Sequence, residues 1–192
     1  MTSPNIPIGY YNESQFTKPS PECPHPERWH TDDIQGTEVE VISMVAGLIR
    51  GLQPDVVLET GTSRGFMSYQ IGVSLRDNGH GHLTTYEPDE ETWSEAVHNT
   101  EQVREWVTCE NLPSMVPWQR ELLDFCWFDS LLELRWREFD FYFEHMSPRC
   151  VVGFHDTAAH FGDWAQQVRD DPRIAVLDLP TPRGVILGRV LK

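Results

Sequence analysis

Residues 56–68, VVLETGTSRGFMS, set an acid and two glycines where an apolar run gives way to an amphipathic one. A strand, a glycine turn and a helix in that order bring bare backbone and free N–H groups to a nucleotide. A phosphate-cradling loop needs Lys and Ser or Thr after its second glycine, and Phe66 and Met67 follow Gly65 instead. A dinucleotide fingerprint needs a middle glycine, and Ser63 stands there. Glu59 would repel a pyrophosphate and attract an ammonium group. Gly61 and Gly65 permit close backbone approach, with Thr62 and Ser63 lining the loop. Glu87, at the end of the next strand-like run, is placed to accept from ribose hydroxyls.

S-adenosylmethionine meets these requirements: it carries a sulfonium, a free amine and a ribose, and no phosphate. A second group of residues bears on what would happen beside it. Asp129 closes the run DFCWF, and His155-Asp156 closes CVVGF. In open α/β folds, ligands bind at the carboxyl ends of the strands. Two carboxylates there suit a hard cation such as Mg²⁺, with Asp129 and Asp156 as ligands. Asp129 could instead face the methionine end of the cofactor, and Asp156 could cap a helix. A His of near-neutral pKa makes His155 the natural base for a substrate hydroxyl, with Asp156 beside it; the competing reading is a structural histidine.

The elements that must position these groups follow from periodicity. Val41, Ile42, Val45, Leu48, Ile49 and Leu52 share one helical face, and Thr37 and Glu40 have capping-box spacing. Strands are expected at 55–59, 82–87, 105–109, 124–128 and 150–154. Helices are expected from about 65 to 76, from 88, from 114 to 123, from 130 to about 146, and from 163 to 169. The last two strands, IAVLDLP and GVILGRVL, are joined too tightly for a crossover, so the last must run antiparallel to its neighbour. Alternating strands and helices define an α/β fold with a mostly parallel sheet. Residues 1–35, rich in Pro, form an irregular arm, and residues 36–192 the domain. Tyr10, Tyr11, Phe16, Trp29 and His30 would let that arm act as a lid.

The quoted segments, with TYEPD at 85–89, resemble class I S-adenosylmethionine-dependent methyltransferases, in particular the small O-methyltransferase-like branch whose members show F-I-D-G and F-H-D where this chain has WFDS and GFHDT. The resemblance spans about residues 36–192. It implies a doubly wound, Rossmann-like, mostly parallel seven-stranded sheet with an antiparallel C-terminal strand and helices on both faces. It also implies adenine contact at Glu110 or Asn111, and methylation of a small-molecule hydroxyl, a sugar or natural product. In metal-dependent members Asn follows the second acid; here Thr157 does.

Composition narrows the alternatives. Thirty acidic residues against 15 basic ones give a net charge of -15, which disfavours nucleic acid as a partner. No apolar run reaches membrane-span length, and four cysteines without a C-x-x-C pair suit a reducing cytoplasm. A homo-oligomer is possible on this reading. Two alternatives remain: a methyltransferase-like domain that binds cofactor without turnover, and a nicotinamide-dependent oxidoreductase, against which Ser63 and Glu59 argue.

Overall fold

The computed structural model describes residues 9–10, 19–31 and 36–192. Five helices, α1 (Val39–Leu52), α2 (Phe66–Asn78), α3 (Glu90–Thr100), α4 (Arg135–Tyr142) and α5 (Trp164–Arg169), flank one sheet of seven strands. In chain order these are β1 (Val56–Thr60), β2 (His82–Tyr86), β3 (Val107–Glu110), β4 (Leu123–Phe128), β5 (Met146–His155), β6 (Ile174–Leu179) and β7 (Val185–Val190). The spatial order is β3-β2-β1-β4-β5-β7-β6. Pairings from β3 to β5 are parallel, and β7 runs antiparallel to both β5 and β6. The order reverses between β1 and β4, the topological switch point at which such sheets bind ligands.

Strand alternation divides the core into two layers. Val57, Phe125 and Trp127 face one way and pack against Val45 and Ile49 of α1 and Ile71 and Leu75 of α2. Leu58, Cys126 and Phe128 face the other way, onto Phe139 and Tyr142 of α4 and Val168 of α5. Both faces of β1 and β4 are thus covered, which is why their sequences read as almost unbroken apolar runs.

Three local expectations fail for identifiable reasons. No helix forms over 114–123, where Pro117 lacks a backbone donor and disfavours helical geometry in Val116. Thr37 and Glu40 do not close a capping box: α1 begins after Glu38, Thr37 donates to Asp129, and Glu40 accepts from the backbone N–H of His30. The helix expected from 130 starts only at Arg135: Ser130 lies ahead of α4, and its hydroxyl donates to Glu138.

The described part of the arm is tied to the domain. The Ser20 N–H donates to the Pro182 carbonyl, and Trp29 packs against the α1 layer. His30–Thr31 pairs with Gly9–Tyr10 in a two-residue antiparallel bridge. Tyr11 and Phe16, expected in a lid, lie outside the described residues. Among the described residues no helix is long and apolar enough to cross a membrane.

Candidate active site

The turn after β1 is held by its neighbours. The N–H groups of Gly61 and Thr62 donate to the Tyr86 carbonyl at 3.1 Å, and that of Asp129 donates to Thr60 at 3.0 Å. Gly61 has φ +82°, and a Cβ there would lie 2.4 Å from the Asp129 carbonyl oxygen. Only glycine permits both the turn and the closeness of the β1 and β4 ends. Gly65, also left-handed at φ +80°, caps the start of α2.

This edge of the sheet opens into a cavity of about 820 Å³, within the usual range for small-molecule sites. Glu59, Gly61, Thr62 and Ser63 line it on one side, Glu87 on another, and Asp129 and Asp156 on a third. Three residues anticipated from the sequence do not line it: Gly65, Asn111 and His155. Asn111 donates to the backbone carbonyls of Glu87 (3.0 Å) and Pro88 (3.3 Å), bracing the turn that carries Glu87. None of the described residues 19–31 lines the cavity.

Each acid here has a distinct environment. Burial pushes the Glu59 carboxyl up to about 8, only partly offset by hydrogen bonds from Ser68 and Thr85. It is an acid held short of a cationic partner. Glu87 accepts from the N–H groups of Ser63 (3.0 Å) and Asp89 (3.1 Å), which fix its carboxylate at the rim with lone pairs to spare.

Beyond β4 and β5, six charged groups interlock. Burial would drive the His155 ring neutral, but Asp129, Asp156 and Glu38 overcome it and raise its pKa to about 10. The ring is 1% exposed; Nε2–H donates to Glu38 at 2.7 Å and Nδ1–H to Asp129 at 3.1 Å. A sealed imidazolium is neither reachable by a substrate nor able to accept a proton at neutral pH, which is at odds with the base role anticipated for it. Asp156, in the left-handed region at φ 57°, accepts from Arg135 at 2.9 Å and Arg183 at 2.5 Å. Burial opposes its ionisation, yet His155, Arg135 and Arg183 together hold its carboxyl well below the usual range. The Glu38 carboxylate also accepts from the backbone N–H of Arg183 at 3.0 Å.

The pattern of the sequence did not single out Glu38, Arg135, Arg183 or Glu138. Arg135 opens α4, and a cation in the first turn opposes the helix dipole; that misplacement was the available signal. Glu138, fully buried, accepts from the hydroxyls of Thr60 (2.7 Å), Ser130 (2.7 Å) and Ser114. Ser114 and Ser130 also border the cavity, so Glu138 braces its wall from behind.

The sheet that carries this cavity has counterparts in known proteins. The family model described as a methyltransferase domain matches residues 58–157, just over half of the chain, and the chain belongs to that family. The matched span runs from β1 to Thr157 and includes the glycine turn, Glu87, Asp129 and Asp156. No curated protein matches the sequence. Among solved structures, the chain resembles the SAH-bound methyltransferase PaMTH1 of Podospora anserina, with TM-score 0.71, 15% identity, and coverage of 82% of this chain and 81% of that one. It resembles the SAM complex of the O-methyltransferase TomG from Streptomyces achromogenes, involved in tomaymycin synthesis, with TM-score 0.69, 16% identity and 82% of each chain covered. The O-methyltransferase of Bacillus cereus in complex with SAH matches with TM-score 0.68, 16% identity, and 81% and 83% coverage. At these identities the likeness establishes the shared fold: the seven-stranded, Rossmann-like sheet with its antiparallel C-terminal strand.

Proposed function

We propose that this methyltransferase binds S-adenosylmethionine in the cavity at the β1–β4 switch point and transfers its methyl group to a hydroxyl oxygen of a small molecule. The observation that carries the reading is Glu59, a buried acid with no cationic partner among the described residues, facing the same cavity as the Gly61 turn and Glu87. The donor set suits this cofactor: an acid for the amine, a glycine turn for close approach, and a fixed carboxylate for the ribose hydroxyls. O-methyltransferases among the structural neighbours favour oxygen as the acceptor atom.

When bound, S-adenosylmethionine supplies an electrophilic methyl group on sulfur. The chain's part is to bind, orient and exclude water. Glu59 and Glu87 would hold the two ends of the cofactor, with Thr62 and Ser63 against its middle and Asp129 toward its methionine end. Asn111 acts indirectly, by keeping Glu87 in place. Transfer would join the methyl carbon to the acceptor oxygen as the bond to sulfur breaks; sulfur would keep the electron pair and the hydroxyl proton would pass to water. His155 and Asp156 serve here as a fixed ion pair that shapes the acceptor side of the cavity. Orientation of this kind can contribute roughly 7–11 kcal/mol to lowering the barrier, more than the 10²–10⁴-fold or so expected of a base.

Calorimetric titration of the native protein and of Glu87→Ala with S-adenosylmethionine tests the assignment. Saturable binding by the native protein, lost in the folded variant, is expected. A folded native protein that binds no S-adenosylmethionine would sink it.

A further inference from the structure

Asp129, His155 and Asp156 each offer one ligand atom, and these atoms lie within 4.8 Å of one another. The spacing would admit a divalent cation. The directions of the lone pairs argue otherwise. Asp129 Oδ1 and Asp156 Oδ2 both face a single nitrogen, Nη2 of Arg135, at 3.0 and 2.9 Å. The other Asp156 oxygen faces Nε of Arg183 at 2.5 Å. The His155 ring turns its two nitrogens toward Glu38 and Asp129.

Arg135 is also anchored. Its Nε–H donates to the Ser130 carbonyl at 2.9 Å and its Nη1–H to the His155 carbonyl, while its guanidinium carbon lies 5.5 Å from the Trp164 ring centroid. Swinging aside would leave two carbonyls without their donors, a cost the protein interior resists. Three carboxylates (Glu38, Asp129, Asp156) already face three basic side chains (His155, Arg135, Arg183). A divalent ion would have to displace the guanidinium that already faces both carboxylates. The residues present do not fit a metal.

We propose that Arg135 is the resident cation of this site, a positioning residue that clamps Asp129 and Asp156 where a divalent metal would otherwise bridge them. The consequence for chemistry rests on the methyl-transfer reading: the acceptor hydroxyl must lose its proton without metal assistance, which favours acidic hydroxyls such as phenols.

The test uses Mn²⁺ alone, followed by the electron paramagnetic resonance signal of the free ion. Native protein should leave that signal as it is in buffer at every concentration. One saturable ion per chain, lost in Asp156→Asn, would overturn the proposal. Arg135→Met uncovers the carboxylate pair and should bind Mn²⁺ at least about tenfold more tightly than native protein, with Asp129→Asn on the same background abolishing the gain. A variant that is folded by circular dichroism yet gains no Mn²⁺ binding would count equally against the proposal. Should Arg135→Met fail to fold, the native titration decides. S-adenosylmethionine affinity should agree within about twofold with Mg²⁺ or with chelator. Absence of S-adenosylmethionine binding would defeat the methyl-transfer reading, while the Mn²⁺ result still judges Arg135.

Discussion

The Nε2 of His155 lies 2.7 Å from the Oε2 of Glu38, a residue 117 positions earlier in the chain, and both side chains are sealed from solvent. This pair joins the start of α1 to the end of β5. Glu38→Gln keeps the volume and removes the anion, leaving the cluster with one uncompensated positive charge. Loss of one partner of a buried pair costs about 3–5 kcal/mol, and urea unfolding should register that. A loss under about 0.5 kcal/mol, the range of neutral surface changes, would show that the pair does not hold these elements together.

Glu59 predicts a pH dependence. Its folded pKa, about 8, stands above an ordinary value of 4.5. Between those values the folded state binds the proton and the unfolded state does not, so stability falls as pH rises. The slope from this one group is at most about 1.4 kcal/mol per pH unit. His155, raised from 6.5 to about 10, contributes stability that is full below 6.5 and is lost on approach to 10. Melting temperature measured from pH 5 to pH 8 should therefore decline in the native protein and decline less in Glu59→Gln. Parallel curves would refute the buried, protonated state of Glu59.

Gly61→Ala sets a methyl group against the Asp129 carbonyl and strains a left-handed backbone. The β1 and β4 ends must separate, displacing Glu59 and Ser63 together. Calorimetry should show S-adenosylmethionine binding weakened by about a hundredfold or more, in keeping with the sensitivity of bound geometry to ångström shifts. Unchanged affinity in the folded variant would mean that the turn does not touch the cofactor.

Glu138 collects three hydroxyl donors in a buried position. Glu138→Leu leaves Thr60, Ser114 and Ser130 without their acceptor and should cost roughly 3 kcal/mol or more, since each unsatisfied buried group costs about 1–3. Glu138→Gln retains an acceptor oxygen and should cost less. Equal losses in the two variants, by chemical denaturation, would show that volume rather than hydrogen bonding matters there.

What the sequence disclosed and what it withheld divide along chain separation. Glu59, Gly61 and Glu87 could be placed because each sits a fixed step from a strand end, and periodicity locates strand ends. The antiparallel β7 followed from the length of one turn. Asp129 and Asp156 were placed at the sheet edge by the same rule. Their partners were not, because Glu38, Arg135 and Arg183 approach from α1, α4 and the turn before β7, and no local pattern records that they meet. His155 was misleading for this reason: its type suggests a base, and its charge is set by its neighbour Asp156 together with Asp129 and Glu38 from distant segments. Thr37 shows the complementary error, since its spacing imitates a cap while its hydroxyl is engaged in a long-range bond to Asp129.

The antiparallel strand also sets the order in which the site can be completed. Arg183 stands immediately before β7, and β7 slots between β5 and β6. A nascent chain that has emerged only as far as β5 already carries Glu38, Asp129 and Asp156, but not the second arginine that balances them or the strand that covers β5. During synthesis, which releases N-terminal segments first, the acceptor side of the cavity therefore cannot assume its final electrostatic form until the turn at 181–184 has left the ribosome. A chain cut short before the turn at 181–184 would keep the Gly61 turn but lack Arg183, one of the two arginines that face Asp156.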